Sequence, residues 1–252
     1  MIAQIHLPGY LMHLNEKKWQ SIIIFIIFLF QYLFEHFFPE NTKNNNLKNE
    51  GKNIAIGILN ITFLFIPSAL LVELLSYTNT HKIGLLHLVQ LPFWINIIVT
   101  IIIMDFAMYW WHRINHTQHF FWRFHSFHHR DKKMNTTTAV RFHIVELLFS
   151  SIFKAPFYLL MGFNFLPVLI YEILFFMIVL IHHSNIRITK NFDMEYRKLF
   201  SSPLMHRIHH SNIREETDTN YGSVFSFWDR IFKTYKEEAS GVIVFGVDER
   251  KP

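Results

Sequence analysis

The chain contains no cysteine among its 252 residues. That excludes disulfides, thiolate metal ligands, iron–sulfur clusters and cysteine nucleophiles together, and it leaves the redox compartment open. Charge is scarce as well: Asp, Glu, Lys and Arg make up 17 % of residues, against about 25 % in ordinary soluble domains. Neither a Gly-rich dinucleotide fingerprint nor an HExxH motif occurs, so the chain offers no phosphate cradle for its own nicotinamide cofactor and no standard helical zinc-hydrolase pair. What fills the space is apolar. Hydrophobic residues reach 51 %, with 28 Phe, which rules out disorder because so much apolar surface cannot stay solvated. The net charge is +5 with histidine neutral, and 17 histidines add to it in acid. A basic, greasy chain points to anionic lipid headgroups before nucleic acid, for which nothing else speaks.

Five apolar stretches organise the sequence, with no internal repeat: Trp19–Phe38, Ile54–Tyr77, Leu85–Trp111, Ile144–Met161 and Phe163–Ile181. The first is long enough for a bilayer core and lacks the small-residue end of a secretory signal. Pro67 and Pro92 are expected to kink or bound the second and third stretches. The last two meet at Gly162 and read as a helical hairpin over 144–182 that crosses or re-enters the membrane. The expected fold is therefore an all-α integral membrane protein of three to five spanning or re-entrant helices. Lys and Arg set the orientation: putting linker 41–53, segment 112–141 and the tail after 186 in the cytoplasm places 20 of 24 of them inside.

Twelve of the 17 histidines fall between 112 and 210. His112 and His116 are four apart, so a helix continuing the third stretch shows both on one face. His125, His128 and His129 form an HxxHH triplet, and His206, His209 and His210 repeat that spacing. On a helix each triplet offers three nitrogens to one small volume. Such imidazole density suits zinc, copper, iron or nickel. Eight ligands exceed the four or three that one zinc takes, so two metals side by side is the economical reading. His6, His13, His36, His81 and His87 lack partner spacing and read as core or interfacial histidines, and His119 is off the pattern. Among the few acids near these motifs, Asp105 lies two helical turns before His112, and an intramembrane acid invites a functional reading. Glu146 follows His143 by three on one helical face. Asp218 and Asn220 are placed to hydrogen-bond ligand imidazoles. The aromatic run Tyr109, Trp110, Trp111, Phe120, Phe121 and Trp122 reads as membrane-interface or acyl-channel surface.

The segments HRINHTQHFFWRFHSFHHRDKKMNTTTAVRFHIVE, LIHHSNI and SPLMHRIHHSNIREETDTNYGSVFSFWDRIFKTY resemble, in order, the fatty acid hydroxylase superfamily (the sterol desaturase family). The likeness runs from about Asp105 to Tyr235 and is closest to its bacterial sterol-desaturase-like and alkylglycerol monooxygenase-like group. It implies a catalytic region over 101–236, preceded by membrane helices over 1–100 and followed by a tail over 237–252. It also implies a cytoplasmic helical cap carrying a dimetal site, with two irons and O₂ as co-substrate. The activity implied is hydroxylation or desaturation of a lipid C–H bond. Electrons would come from a separate reductase with a ferredoxin or b-type cytochrome. The iron ligands implied are His112, His116, His125, His128, His129, His206, His209 and His210, with a further one at the end of the last stretch, where the order favours His183 over His182. His143 matches a histidine present in some members, as a ligand or as a partner of one. Lys233 stands where the family usually has glycine. A zinc hydrolase and a metal transporter are the alternatives; the surplus of histidines counts against the first, and their position at span ends against the second.

Overall fold

The structure, a computed structural model, describes residues 9–247 apart from the side chains of Tyr10 and Met12; His6 lies outside that range. In chain order the elements are α1 Gly9–Met12, α2 Leu14–Phe37, α3 Leu47–Thr80, α4 Phe93–Thr117, α5 His119–His129, α6 Ile144–Met161, α7 Phe165–His183, α8 Lys190–Tyr196, α9 Pro203–His209, α10 Arg214–Thr217 and α11 Phe227–Ile231. Short 3₁₀ turns cover Leu85–His87 and Thr136–Val140. No β-sheet forms among the described residues, only three isolated bridges.

Five helices, α2, α3, α4, α6 and α7, are long and apolar enough to cross a membrane. This is an all-α integral membrane protein whose number of candidate spans is at the top of the expected range. The exposed faces agree with the bilayer: Phe25 and Phe30 on α2 and Ile61, Phe63 and Ile66 on α3 stand more than half exposed, and in water each such side chain would forgo about 1.5–3 kcal/mol of burial. α4 and α7 form the central pair, 44 % of their apolar windows buried against 11–17 % in the other three. Their shared core holds Met104, Met108, Trp111, Phe163, Val168 and Tyr171.

Helix boundaries follow local chemistry. The third apolar stretch does not become helical at Leu85: the chain makes a 3₁₀ turn and α4 begins at Phe93, with Pro92 as its N-cap at φ −53°, ψ 147°. Proline disfavours helical geometry in the residue before it, which sets this start. Pro67 and Pro156 instead lie within α3 and α6. Asn46, Thr189 and Ser202 cap α3, α8 and α9 through side-chain oxygens that accept N–H groups three residues on.

Gly162 ends α6 in the left-handed region, φ +64°. A Cβ there would sit 2.1 Å from the Ile83 carbonyl oxygen, and one on Gly84 2.3 Å from the Gly162 nitrogen. The two backbones thus touch where the α6–α7 hairpin meets the α3–α4 connection, and Asn79 adds a 2.7 Å hydrogen bond to the Phe163 carbonyl. Gly162→Ala is expected to cost about 2 kcal/mol or more, combining left-handed strain with backbone overlap. Thermal unfolding in detergent will read this as a lowered Tm, with no change in metal content of the folded fraction.

The opposite end of the bundle gathers the polar groups. Glu35, near the C-terminus of α2, accepts from Thr136 N and Oγ1 at 2.8 Å and from Asn185 N at 2.7 Å. Asp131 accepts from Asn49 and Asn53 of α3 and from Thr138. These buried bonds fasten the N-terminal helices to the segments that flank α5 and α7. The short helices α5 and α8–α11 pack over this end as a cap, and the histidines lie beneath it.

Candidate metal centre

Nine histidines converge in two adjoining groups. His112, His116, His125, His129 and His209 form one, and His128, His183, His206 and His210 the other; within each, one ring nitrogen per residue lies within 4.8 Å of all the rest. The groups abut: the rings of His129 and His210 stack at 4.2 Å, and those of His128 and His129 stand 5.3 Å apart. Apart from the half-buried His112, all are buried.

The elements deliver them in a definite way. α4 runs on to Thr117, so His112 and His116 share a face at its end. α5 carries the first triplet, and α9 the second, with His210 as its C-cap. The expectation that each triplet serves one volume is corrected here. Residues i and i+4 of a helix point about 40° apart, whereas i+3 and i+4 diverge by about 100°. Accordingly His125 and His129 enter the first group while His128 enters the second, and His206 and His210 enter the second while His209 enters the first. Each HxxHH triplet straddles both groups, so the two halves of the centre depend on the same two short helices.

Hydrogen bonds from outside aim the rings. Nδ1 of His112 faces the Tyr221 carbonyl at 2.8 Å, that of His116 the Asp218 carboxylate at 3.3 Å, and that of His125 the Glu146 carboxylate at 2.8 Å. Nδ1 of His128, His183 and His209 meets the carbonyls of Arg141, Val179 and Thr219 at 3.1, 2.7 and 2.7 Å. An acceptor at Nδ1 keeps the proton there and leaves the Nε2 lone pair facing inward, as metal-ligating imidazoles require. Inward nitrogens then crowd one another: Nε2 of His183 lies 3.0 Å from that of His128 and 3.1 Å from that of His206, and His125 and His129 approach at 3.2 Å. Nε2 of His116, His209 and His210 has no hydrogen-bond partner among the described residues. Buried lone pairs facing lone pairs are costly unless an electrophile sits between them. The donor set therefore fits two metal ions, bound by nitrogen alone.

Burial, reinforced by neighbouring imidazoles, pushes His128, His129, His206 and His210 well below the ordinary histidine range, and His209 to about 3. These rings are neutral near pH 7 and present lone pairs rather than N–H⁺ groups. The sign for stability follows: the unfolded chain takes up protons below about pH 6.5 and the folded one does not, so acid favours unfolding. The chelated protein is expected to lose Tm between pH 7 and 5.5, and metal loading should raise Tm at both pH values without removing that loss; melting curves at both pH values check it.

The remaining expected residues are distributed unevenly. Glu146 meets His125 as described. Asp218 bridges His116 and Arg214, whose Nε donates to it at 2.6 Å and whose Nη2 donates to the His116 carbonyl at 2.7 Å. Asp105 touches no histidine. Its carboxylate accepts from Val224 N, Phe225 N and Trp228 Nε1, each at 3.0 Å, and so anchors the segment that carries the Tyr221 carbonyl. Asn220 also avoids the rings: at φ +57° it bonds the Met205 and Lys236 carbonyls and the Lys236 N–H, tying α9 to the chain after α11. His143 lies in neither group; it is the N-cap of α6, its Nδ1 accepting from Val145 N at 3.2 Å, with its ring against Phe124. His183 rather than His182 is in the second group, although the His182 ring lies 3.9 Å from that of His206.

Sequence reasoning did not find the backbone carbonyls that aim four of the nine rings, because no residue type marks them. Nor did it single out Asp229, which accepts from Tyr221 N, Gly222 N and Thr234 Oγ1 and holds that same turn. Burial raises its carboxyl to about 6. The WDR motif that contains it was the available signal. Glu146→Gln is expected to lower activity or metal affinity by about 10–100-fold, the usual cost of losing a carboxylate behind a ligand imidazole; metal titration beside turnover checks it.

Comparison with known proteins agrees with this geometry. The chain is 32 % identical over 149 residues to ornithine lipid hydroxylase OlsE of Rhizobium tropici, covering 58 % of this chain and 43 % of the relative. It is 30 % identical over 141 residues to human alkylglycerol monooxygenase, covering 56 % of this chain and 30 % of the relative. Methylsterol monooxygenase 2-2 of Arabidopsis thaliana is 27 % identical over 214 residues, covering 83 % and 78 %. The chain thus spans less than half the length of the first two. No solved structure matches. The fatty acid hydroxylase family model matches residues 97–234, the stretch that contains all nine clustered histidines, and the chain belongs to the fatty acid hydroxylase family.

Proposed function

We propose that the protein is a membrane-bound, O₂-dependent non-haem di-iron enzyme that hydroxylates or desaturates an unactivated C–H bond of a lipid. The observation that carries this reading is the pair of abutting all-imidazole groups, six of whose rings have Nδ1 held by an outside acceptor. His112, His116, His125, His129 and His209 would hold one iron, and His128, His183, His206 and His210 the other. Bound iron supplies the oxidation of an unactivated C–H bond by O₂, for which acid–base side chains have no means.

The chain's own residues do the rest. Glu146, Asp218 and the four carbonyls hold protons at Nδ1 and keep the rings oriented. Asp105, Asn220 and Asp229 position the 218–229 segment behind His112, His116 and His209. Phe142 stacks on His128 at 4.4 Å and Trp122 lies over His116 at 5.0 Å, which excludes water from the rings and slows quenching of a strong oxidant. The catalytic region is taken as 101–236, after membrane helices over 1–100 and before the tail. Positive charge puts the histidine end in the cytoplasm, where a separate reductase with a ferredoxin or b-type cytochrome would deliver electrons. A lipid substrate is supported by the relatives, whose names specify an ornithine lipid, alkylglycerols and methylsterols.

Lipid profiling of expressing cells under ¹⁸O₂ tests the proposal. A hydroxylase yields a lipid carrying one ¹⁸O, and a desaturase one that has lost two hydrogens without gaining label. Product formation that continues without O₂, in protein holding a single zinc, would sink the reading and support a hydrolase.

A further inference from the structure

A second polar cluster lies within the membrane helices, at the end remote from the histidines. Lys17 and Gln20 of α2 both donate to Glu172 Oε2 of α7, at 3.1 and 2.7 Å, and Lys17 also donates to Gln20 Oε1 at 3.0 Å. Lys154 of α6 lines the same cavity and feels the Glu172 charge, but among the described residues none makes a hydrogen bond or a close ion pair with it. It sits seven residues before the end of α6, about 10 Å along the helix from that terminus. An ammonium at such depth is expensive to keep, and one that only shares a carboxylate with a second lysine marks a function by default.

The cavity measures about 120 Å³ and is walled by α2, α3, α6 and α7. Ser150 and Tyr158 contribute hydroxyls to it beside Lys154, while Leu71, Val72 and Leu75 make its apolar wall. A water occupies about 30 Å³ of liquid, so the space holds an ionised headgroup and a few carbons but no whole lipid. Lys17 and Lys154 against the single carboxylate of Glu172 leave the cavity one positive charge in excess. We propose that this cavity binds the ionised group of an anionic acyl lipid, a carboxylate or a phosphate monoester, with Lys154 as the anchoring cation and the hydrocarbon chain left among the helices and bilayer. A charge-assisted bond from an ammonium to such an oxygen is strong where water is excluded. The site stands apart from the histidine groups, so its test does not depend on any oxidative activity.

The full chain, purified in mild detergent, would be incubated with equal concentrations of oleate, 1-oleoyl lysophosphatidate and oleyl alcohol, and retained lipid counted by native mass spectrometry. Occupancy by the two anions is expected to exceed that by the alcohol at least about tenfold. Lys154→Met should lower both anions to the alcohol's level, Lys154→Arg should keep the preference, and Lys190→Met, in an exposed surface ion pair, should leave it intact. Equal retention of oleate and oleyl alcohol by the wild type would overturn the proposal, and that comparison stands even if Lys154→Met fails to fold. An unaltered preference in a folded Lys154→Met protein would also overturn it. Displacement of both lipids by millimolar inorganic phosphate would identify a site for free anions and refute the lipid part.

Discussion

His125→Ala/His209→Ala is expected to leave one of two metals per chain only partly bound, and His183→Ala/His206→Ala to lose the other, each with activity reduced to background. The first pair removes two of five nitrogens from one group and the second two of four from its neighbour. Three nitrogens remain in the first case and two in the second, so residual affinity should be greater in the first double variant. A different outcome is expected for His128→Ala/His129→Ala. Those residues are adjacent in sequence but belong to different groups, leaving four and three nitrogens. Metal analysis of protein purified in mild detergent should find partial occupancy at both positions rather than clean loss of one. If all three double variants lose both metals together, the division into two groups is wrong. Two zincs in the wild type would leave the ligand map intact and show only that imidazole sites accept other metals during expression.

Asp105→Ala should produce the largest loss of stability of any single change away from the histidines. Its carboxylate is fully buried and satisfies three donors from one segment. Alanine leaves all three buried without partners, at about 1–3 kcal/mol each, so a total of at least about 3 kcal/mol is expected. The damage should also reach the metal centre, because the released segment carries the Tyr221 carbonyl opposite His112 Nδ1. Asp105→Asn keeps one acceptor oxygen and turns the other into a donor facing an N–H, so it should fall between wild type and alanine. Thermal melts with metal titrations on the same preparations separate the two effects. A chain that melts like wild type yet binds metal poorly would contradict the anchoring role and return Asp105 to direct contact with the rings.

Asp105 and His143 show where pattern alone misleads. Two helical turns before His112 is a correct statement about α4, and it places the acid on the proper side. Seven residues also span about 10 Å along the axis, so the carboxylate reaches the loop beneath the centre instead of the imidazole. His143 shares a motif with Glu146, but it is the residue before the helix begins, where its ring nitrogen serves the orphan N–H of Val145. Glu146, one turn inside α6, points to His125. Spacing along a helix is informative only once the helix start is known, and the cap decided that.

What the amino-acid sequence determines by itself is considerable: five apolar stretches, no thiol, and the HxxxH and HxxHH motifs. Each rests on composition or on helical periodicity, which are local properties. The tertiary structure alone decides how the nine histidines divide between two groups, which carbonyls hold their protons, and that Asn220 and Asp229 serve the backbone. It also brings a second lysine, on α6, beside the lysine and glutamate in contact between α2 and α7. Those features depend on contacts between residues up to about 150 positions apart, and the packing angle and depth that create such contacts leave no period in the chain.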